Sequence, residues 1–128
     1  MASGSGSLHE PEDRLEPATI DRHRALVSIM EELEAVDWYQ QRMDAAHDAE
    51  LRDILRHNRD EEKEHAAMVL EWIRRRDPAF DTKLRQYLFT EGSIVGREQA
   101  TEAKHAGDNG ATRPARAVVT VGSLRGGQ

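Results

Sequence analysis

HNRDEEKEHAAM, which spans residues 57 to 68, is the stretch that decides the fold of this 128-residue sequence. On both sides of it apolar residues recur at intervals of three and four, which is the period of one face of an α-helix. Glu62 and His65 occupy the positions between Leu55 and Val69 on that face. A carboxylate buried without a partner is costly. The stretch therefore predicts a helix that carries a polar site on its core-facing side.

The same apolar period predicts an antiparallel pair of long helices followed by a short third helix, so the expected fold class is all-α. Capping and turn residues set the expected boundaries. The first helix is capped by Thr19 or Asp21 and runs to about Ala46, the second is capped by Asp48 and runs from Ala49 to about Arg76, and the third begins at Asp77-Pro78 and ends at Gly92.

Both long helices have apolar faces that are too broad for the two helices to bury against each other. The stripe residues are Ala25, Ile29, Val36, Tyr39 and Met43 in the first helix and Leu51, Ile54, Leu55, Met68, Val69, Trp72 and Ile73 in the second. A helical hairpin of this kind usually pairs with a second hairpin to form a four-helix bundle. A monomer would expose a large apolar patch. We therefore expect a homodimer.

Composition excludes several classes of function. The sequence has no cysteine, so it has neither a disulfide framework nor thiolate chemistry. The formal charge of -6 and the lack of a basic stripe argue against a nucleic-acid partner. No apolar run is long enough to cross a bilayer, and the N-terminus lacks the order of a signal peptide. A soluble cytoplasmic protein is expected.

Proline, glycine and small polar residues divide the sequence into four expected segments. The last of them regains an apolar cluster, which is typical of a short docking peptide on a tether. The segments are a disordered N-terminal lead at 1–17, a helical domain at 18–96, a flexible linker at 97–117 and a docking peptide at 118–128 with Val118, Val119, Val121 and Leu124.

Glu32 interrupts the apolar stripe of the first helix as Glu62 and His65 interrupt that of the second. Two carboxylates and an imidazole at adjoining levels of antiparallel helices need a shared cation or shared protons. Bundles that hold two irons use two E-x-x-H pairs, plus one Glu from each of two further helices. One chain has half of that set, so a two-fold related copy would supply the rest.

Spacing by itself leaves other interpretations of these residues open. An E-x-x-H pair is often a surface ion pair, and the charged run at 60–64 is typical of a solvated helix face. Glu61 could reach His65 as well as Glu62 does. The metal-site hypothesis therefore rests on the apolar period and on the half set of ligands, not on the pair alone.

Trp38 and Tyr39 are the aromatic candidates near this site. Either ring could simply be a packing residue. Tyr39 lies on the same arc of the first helix as Glu32, where its hydroxyl could hydrogen-bond a metal ligand. We therefore expect these two residues to surround the metal site.

Segments in the first two helices and one after the third resemble the encapsulated ferritins, over about residues 8 to 96. The C-terminal end also resembles the targeting peptide by which such cargo docks inside an encapsulin shell. The segments are RHRALVS and MEELEAVDWY within 22–39, HNRDEEKEHAAM at 57–68, YLFTEG at 87–92 and, for the peptide, TVGSLR at 120–125.

This resemblance implies a ferritin-like four-helix bundle and a ferroxidase activity. Glu32, Glu62 and His65 of two chains would hold two irons, at which dioxygen oxidises Fe(II) to Fe(III). Glu31 and Glu34 would gather metal at the site entrance or at a neighbouring interface, where calcium or another divalent ion could bind. Dimers would assemble into a ring-shaped decamer. The protein would lie in the cytoplasm inside an encapsulin nanocompartment, whose shell stores the iron.

Two other functions remain open on the sequence. One is a non-catalytic, dimerising cargo protein in which a structural metal or an acid–base network fixes the register. The other is a di-iron or di-manganese oxygenase or peroxidase. An organic substrate would favour an apolar pocket beside the metals, and the tight apolar stripes leave little room for one.

Overall fold

The structure, a computed structural model, describes residues 7–111 and the side chains of residues 7–104. Within this range it is all-helical and contains no strand, which confirms the expected fold class. No helix in this part of the chain has the length and apolarity needed to span a membrane. The helices are α1 at Pro17–Ala45, α2 at Ala49–Arg76, α3 at Pro78–Tyr87 and α4 at Ile94–Ala111, with a 3-10 turn at Glu12–Arg14.

The chain divides between Arg76 and Asp77 into two compact units. The first contains α1 and α2, which pack against each other as a hairpin. The second contains α3 and α4. The peptide expected at 118–128 lies outside the described residues.

The boundaries of the hairpin follow from capping chemistry, although the expected cap of α1 at Thr19 or Asp21 is wrong. The helix begins at Pro17, because the fixed φ of proline suits the first helical position. The expected cap of α2 is confirmed, since the Asp48 carboxylate accepts a 2.8 Å hydrogen bond from the Leu51 N–H. The short 3-10 turn lies inside the lead that was predicted to be disordered.

The hairpin buries little of its apolar surface. Among the described residues only Ala66 and Ile73 are buried apolar side chains, and α1 has no buried residue at all. Leu33 on α1 is 56% exposed and Met68 on α2 is 57% exposed. Further large apolar side chains on both helices are exposed as well. The hairpin therefore has an apolar surface that is available to a partner.

The second unit differs from the prediction at both of its helices. Asp77 caps α3 as expected, accepting a 3.0 Å hydrogen bond from the Phe80 N–H, but α3 ends at Tyr87 and not at Gly92. The linker expected at 97–117 is helical as far as Ala111, because alanine and long charged residues with high helix propensity outweigh its few glycines.

The connection between α3 and α4 contains two residues in the left-handed region of φ. Gly92 has a φ of 84°, which glycine adopts without steric cost. Phe89 has a φ of 59° and a fully exposed ring. The residue after α3, Leu88, is already extended with a ψ of 146°, so α3 ends before the glycine on which the prediction relied.

Candidate metal centre

Glu32, Glu62 and His65 form a cluster in the middle of the hairpin. One donor atom from each residue lies within 4.8 Å of the other two. Glu32 projects from α1, and the other two residues project from α2. Within the described part of the chain, this is where three or more potential metal-ligating side chains come together. The structure therefore brings together the three residues that were predicted because they interrupt the apolar stripes of the two helices.

The spacing of the E-x-x-H pair explains the arrangement on α2. Residues three apart lie one above the other on a helix face, and His65 Nδ1 is 2.8 Å from Glu62 Oε1. The same nitrogen is 3.6 Å from Glu32 Oε2 across the hairpin. The side chains of Glu32 and Glu62 are 25% and 22% exposed, and that of His65 is 44% exposed. The cluster is half-buried and open on one side.

The electrostatics of the cluster favour a cation. Burial raises the pKa of Glu32, and the nearby Glu62 carboxylate raises it further. The pKa of His65 is also raised, chiefly by its hydrogen bond to Glu62 and against the opposing effect of burial. Two half-buried carboxylates so close together are stabilised by a proton or by a metal ion. The donors fit a divalent transition metal, since carboxylate and imidazole ligands suit Fe(II), Mn(II) and Zn(II).

A pH-dependent stability follows from the raised pKa of Glu32. A group whose pKa is raised on folding contributes stability below its unfolded value, near 4.5, and that contribution is lost as the pH rises through the folded value. Metal-free Glu32→Gln protein should therefore melt at a higher temperature than the parent at pH 7. The difference should shrink towards pH 4.5. Thermal unfolding at the two pH values, after chelation of metal, measures this.

Glu31→Gln is the matched control, because Glu31 is exposed on the same helix and lies outside the cluster. It should leave the melting temperature close to that of the parent at both pH values. A Glu32→Gln protein that is no more stable than the parent at pH 7 would contradict the electrostatic account.

The structure also separates the cluster from the other predicted residues. Glu61 is exposed, so Glu62 is the carboxylate that lies beside His65. Glu31 and Glu34 lie outside the cluster.

The two predicted aromatic residues, Trp38 and Tyr39, both lie against the guanidinium of Arg42. The Arg42 guanidinium is 5.9 Å from the centre of the Trp38 ring and 5.4 Å from that of Tyr39. A guanidinium in this range is attracted to the face of an aromatic ring. Each ring therefore makes a cation–π contact with Arg42.

Arg59 was not among the residues predicted from the sequence. Its guanidinium donates a 2.7 Å hydrogen bond to the Gln40 side chain on α1, and its side chain is only 17% exposed. Arg59 directly precedes the charged run at 60–64, which is typical of a solvated helix face. A signal was nevertheless present, because Arg59 lies three residues before Glu62 and so adjoins the core-facing side of α2.

Comparison with known proteins gives consistent matches. The EncFtn-like family model matches residues 7–91. An encapsulated ferritin-like protein of Rhodospirillum rubrum is 56% identical over 130 residues, which cover 98% of this chain and 93% of that protein. The encapsulin nanocompartment cargo protein EncC of Myxococcus xanthus is 34% identical, over 77% of this chain and 80% of that protein.

A solved structure agrees with the fold. The crystal structure of a protein from Nitrosomonas europaea is 61% identical in sequence and superimposes with a TM-score of 0.67. The match covers 69% of this chain and 97% of that one. Over the matched part, the two chains share the fold and most of the sequence.

Proposed function

The chain belongs to the EncFtn-like family, and from that membership we propose that it is a ferroxidase, which oxidises Fe(II) to Fe(III) with dioxygen. The observation that carries the proposal is the cluster of Glu32, Glu62 and His65, whose donor atoms lie within 4.8 Å of one another. Oxygen and nitrogen donors in this combination suit iron. Iron is the substrate here, taken up as Fe(II) and passed on as Fe(III).

Two copies of the chain complete the proposed site. One cluster supplies two carboxylates and one imidazole, which is half of the ligand set of a di-iron bundle. The exposed apolar surface of the hairpin supports the same pairing, because a second hairpin would cover it. We propose a homodimer with a two-fold axis through the site, and a ring-shaped decamer that consists of five such dimers.

The chemistry needs two electrons for each dioxygen that is reduced to hydrogen peroxide. Two Fe(II) ions give up one electron each, and two protons are taken up as two Fe(III) ions form. Carboxylates hold the ions at the short separation of about 3.5–4 Å that is usual in two-metal sites. Glu32, Glu62 and His65 bind and orient the two ions, and the carboxylate charges favour the more highly charged product. Glu31 and Glu34 are proposed to gather Fe(II), calcium or another divalent ion near the site, with Trp38 and Tyr39 beside it.

Anaerobic Fe(II) titration followed by oxygen tests the proposal. Binding should saturate at two Fe(II) per pair of chains, and one dioxygen should be consumed per two irons if peroxide is the product. An absorbance of Fe(III) should then develop at the rate of oxygen uptake. Saturable binding without oxidation would instead favour the non-catalytic cargo protein.

Metal binding should promote pairing of the chains, because the complete site exists only in the dimer. A ligand that binds one state at about 100 times its Kd shifts the equilibrium by roughly a hundredfold. Anaerobic addition of Fe(II) should therefore convert monomer to dimer or larger rings in sedimentation velocity or native mass spectrometry. His65→Ala protein is the control and should not respond. A mass distribution that is the same with and without Fe(II) would contradict the shared site.

The destination of the iron is proposed from the relatives and from the C-terminal sequence. The Rhodospirillum rubrum relative is named an encapsulated protein, and the Myxococcus xanthus relative an encapsulin cargo. Both names support an encapsulin shell as the partner of this chain, with residues 118–128 as the docking peptide. The protein would then work inside a cytoplasmic nanocompartment, whose shell holds the oxidised iron.

A further inference from the structure

Arg59, which lies three residues before Glu62 on α2, joins α2 to α1 through Gln40. Its Nη1 atom donates a 2.7 Å hydrogen bond to Gln40 Oε1 and lies 3.9 Å from Met43 Sδ. With 17% of its side chain exposed, Arg59 is mostly enclosed by the hairpin. An enclosed guanidinium is stable only while its donors have acceptors. The contact with α1 therefore constrains where Arg59, and with it α2, can lie.

Both members of this contact are oriented by a neighbour on their own helix. Arg59 Nε and Nη2 are each 3.0 Å from Asp60 Oδ1. The Gln40 amide nitrogen donates a 2.9 Å hydrogen bond to Asp44 Oδ1, so its carbonyl oxygen is the atom turned towards Arg59. The pair is thus preorganised from both sides.

The apolar stripes alone do not define the register of the hairpin. Side chains that repeat every three or four residues can pack again after one helix slides by a turn, about 5.4 Å. Polar groups enclosed in an apolar interface are the usual means by which helices specify one register. A slide of one turn would separate Arg59 from Gln40. It would also carry Glu32 out of a cluster whose donors span only 4.8 Å.

We propose that Arg59 and Gln40 form a register lock, which holds α1 and α2 at the one alignment that brings Glu32 beside Glu62 and His65. They are positioning residues and do not touch the metal. The metal-binding consequence rests on the proposed function, whereas the alignment of the helices does not.

The test uses variants that remove one member of the lock at a time. Arg59→Met removes the donor and Gln40→Leu removes the acceptor. The double variant completes a double-mutant cycle. Arg56→Met is the matched control, because Arg56 is 47% exposed and forms an ion pair with Asp53 on its own helix.

The first readout is the register of the metal-free hairpin. The chain has no cysteine, so spin labels attach only at cysteines introduced at the exposed positions Asp37 and His57. Labelled chains are diluted into unlabelled protein of the same variant, and the label–label distance is measured by pulsed electron paramagnetic resonance. We expect one narrow distance in the parent and in Arg56→Met. We expect a distribution broadened by up to about one helical pitch, 5.4 Å, in the lock variants.

The second readout is binding of Co(II), followed by its visible absorption without oxygen. Binding should weaken ten- to a hundredfold in Arg59→Met and in Gln40→Leu, as for loss of residues that orient metal ligands. The double variant should bind no more weakly than either single one, because both remove the same interaction. Arg56→Met should bind as the parent does.

Parent-like distances in the lock variants would overturn the inference, whatever happens to Co(II) binding. Broadened distances with unchanged Co(II) affinity would overturn the role in positioning. If the parent itself fails to bind Co(II), the proposed function is wrong, while broadened distances still support the lock. Should Arg59→Met fail to fold by circular dichroism, Gln40→Leu carries the test, because it leaves the charge and its Asp60 partner in place.

Discussion

Replacing Glu62 by Ala should slow Fe(II) oxidation by about a hundredfold or more while leaving the protein helical. Glu62 lies beside both other clustered residues, since it bonds His65 and its charge raises the pKa of Glu32. Loss of a residue that merely orients a ligand costs 10–100-fold in many metal sites, so loss of a ligand should cost at least as much. Stopped-flow absorbance of Fe(III), after mixing anaerobic Fe(II) protein with oxygen, measures the rate.

Glu61→Ala is the matched control for this prediction. Glu61 is the preceding residue on α2, carries the same charge and is exposed outside the cluster. Its removal should change the rate by less than a factor of two or three. Glu32→Ala and His65→Ala should each slow Fe(II) oxidation as much as Glu62→Ala does. The triple variant should be little slower than the single variants, because ligands of one site act as a unit. A triple variant that oxidises iron as fast as the parent would refute the ferroxidase proposal.

Deleting residues 118–128 should abolish loading into a co-expressed encapsulin shell without changing Fe(II) oxidation. The segment contains four aliphatic side chains, and each would contribute roughly 1.5–3 kcal/mol if it were fully buried in a groove of the shell. The expected measurement is the amount of this chain that co-purifies with intact shells, compared with the full-length protein. The truncated protein, isolated without a shell, should oxidise Fe(II) at the same rate as the parent.

Two controls distinguish a docking peptide from a general effect of truncation. A chain in which 118–128 is scrambled keeps its length and composition and should load as poorly as the deletion. Conversely, fusing 118–128 to an unrelated soluble protein should direct that protein into shells. Leu124→Asp alone should reduce loading strongly, because an aspartate cannot be buried in an apolar groove without a partner. Normal loading of the protein that lacks residues 118–128 would refute the proposal that this segment is a docking peptide.

Local rules of the sequence predicted most of the helical structure. The boundaries of α2 were predicted correctly because Asp48 and the Asp77-Pro78 pair have strong positional preferences at helix starts. The errors lie where two local preferences compete. Gly107 and Gly110 indicated a linker. The residues before them favour a helix, however, and α4 runs to Ala111.

The candidate site was predictable for a similar reason. Glu32, Glu62 and His65 each occupy a helical position at which apolar residues are expected. The helical period of the apolar residues therefore identifies them without any knowledge of the fold. The choice between Glu61 and Glu62 could not be made from spacing, since both could reach His65. The structure places Glu62 Oε1 at 2.8 Å from the ring nitrogen and leaves Glu61 exposed.

The sequence by itself therefore determined the helices, the broad apolar faces and the identity of three residues that interrupt them, because these features depend on periods within single helices. Only the tertiary structure decided the level at which Glu32 meets the E-x-x-H pair. It also revealed the contact between Arg59 and Gln40. Both depend on how two helices are aligned, and residues nineteen positions apart have no local rule that relates them. Alignment between helices arises from packing and enclosed hydrogen bonds, which exist only once the chain has folded.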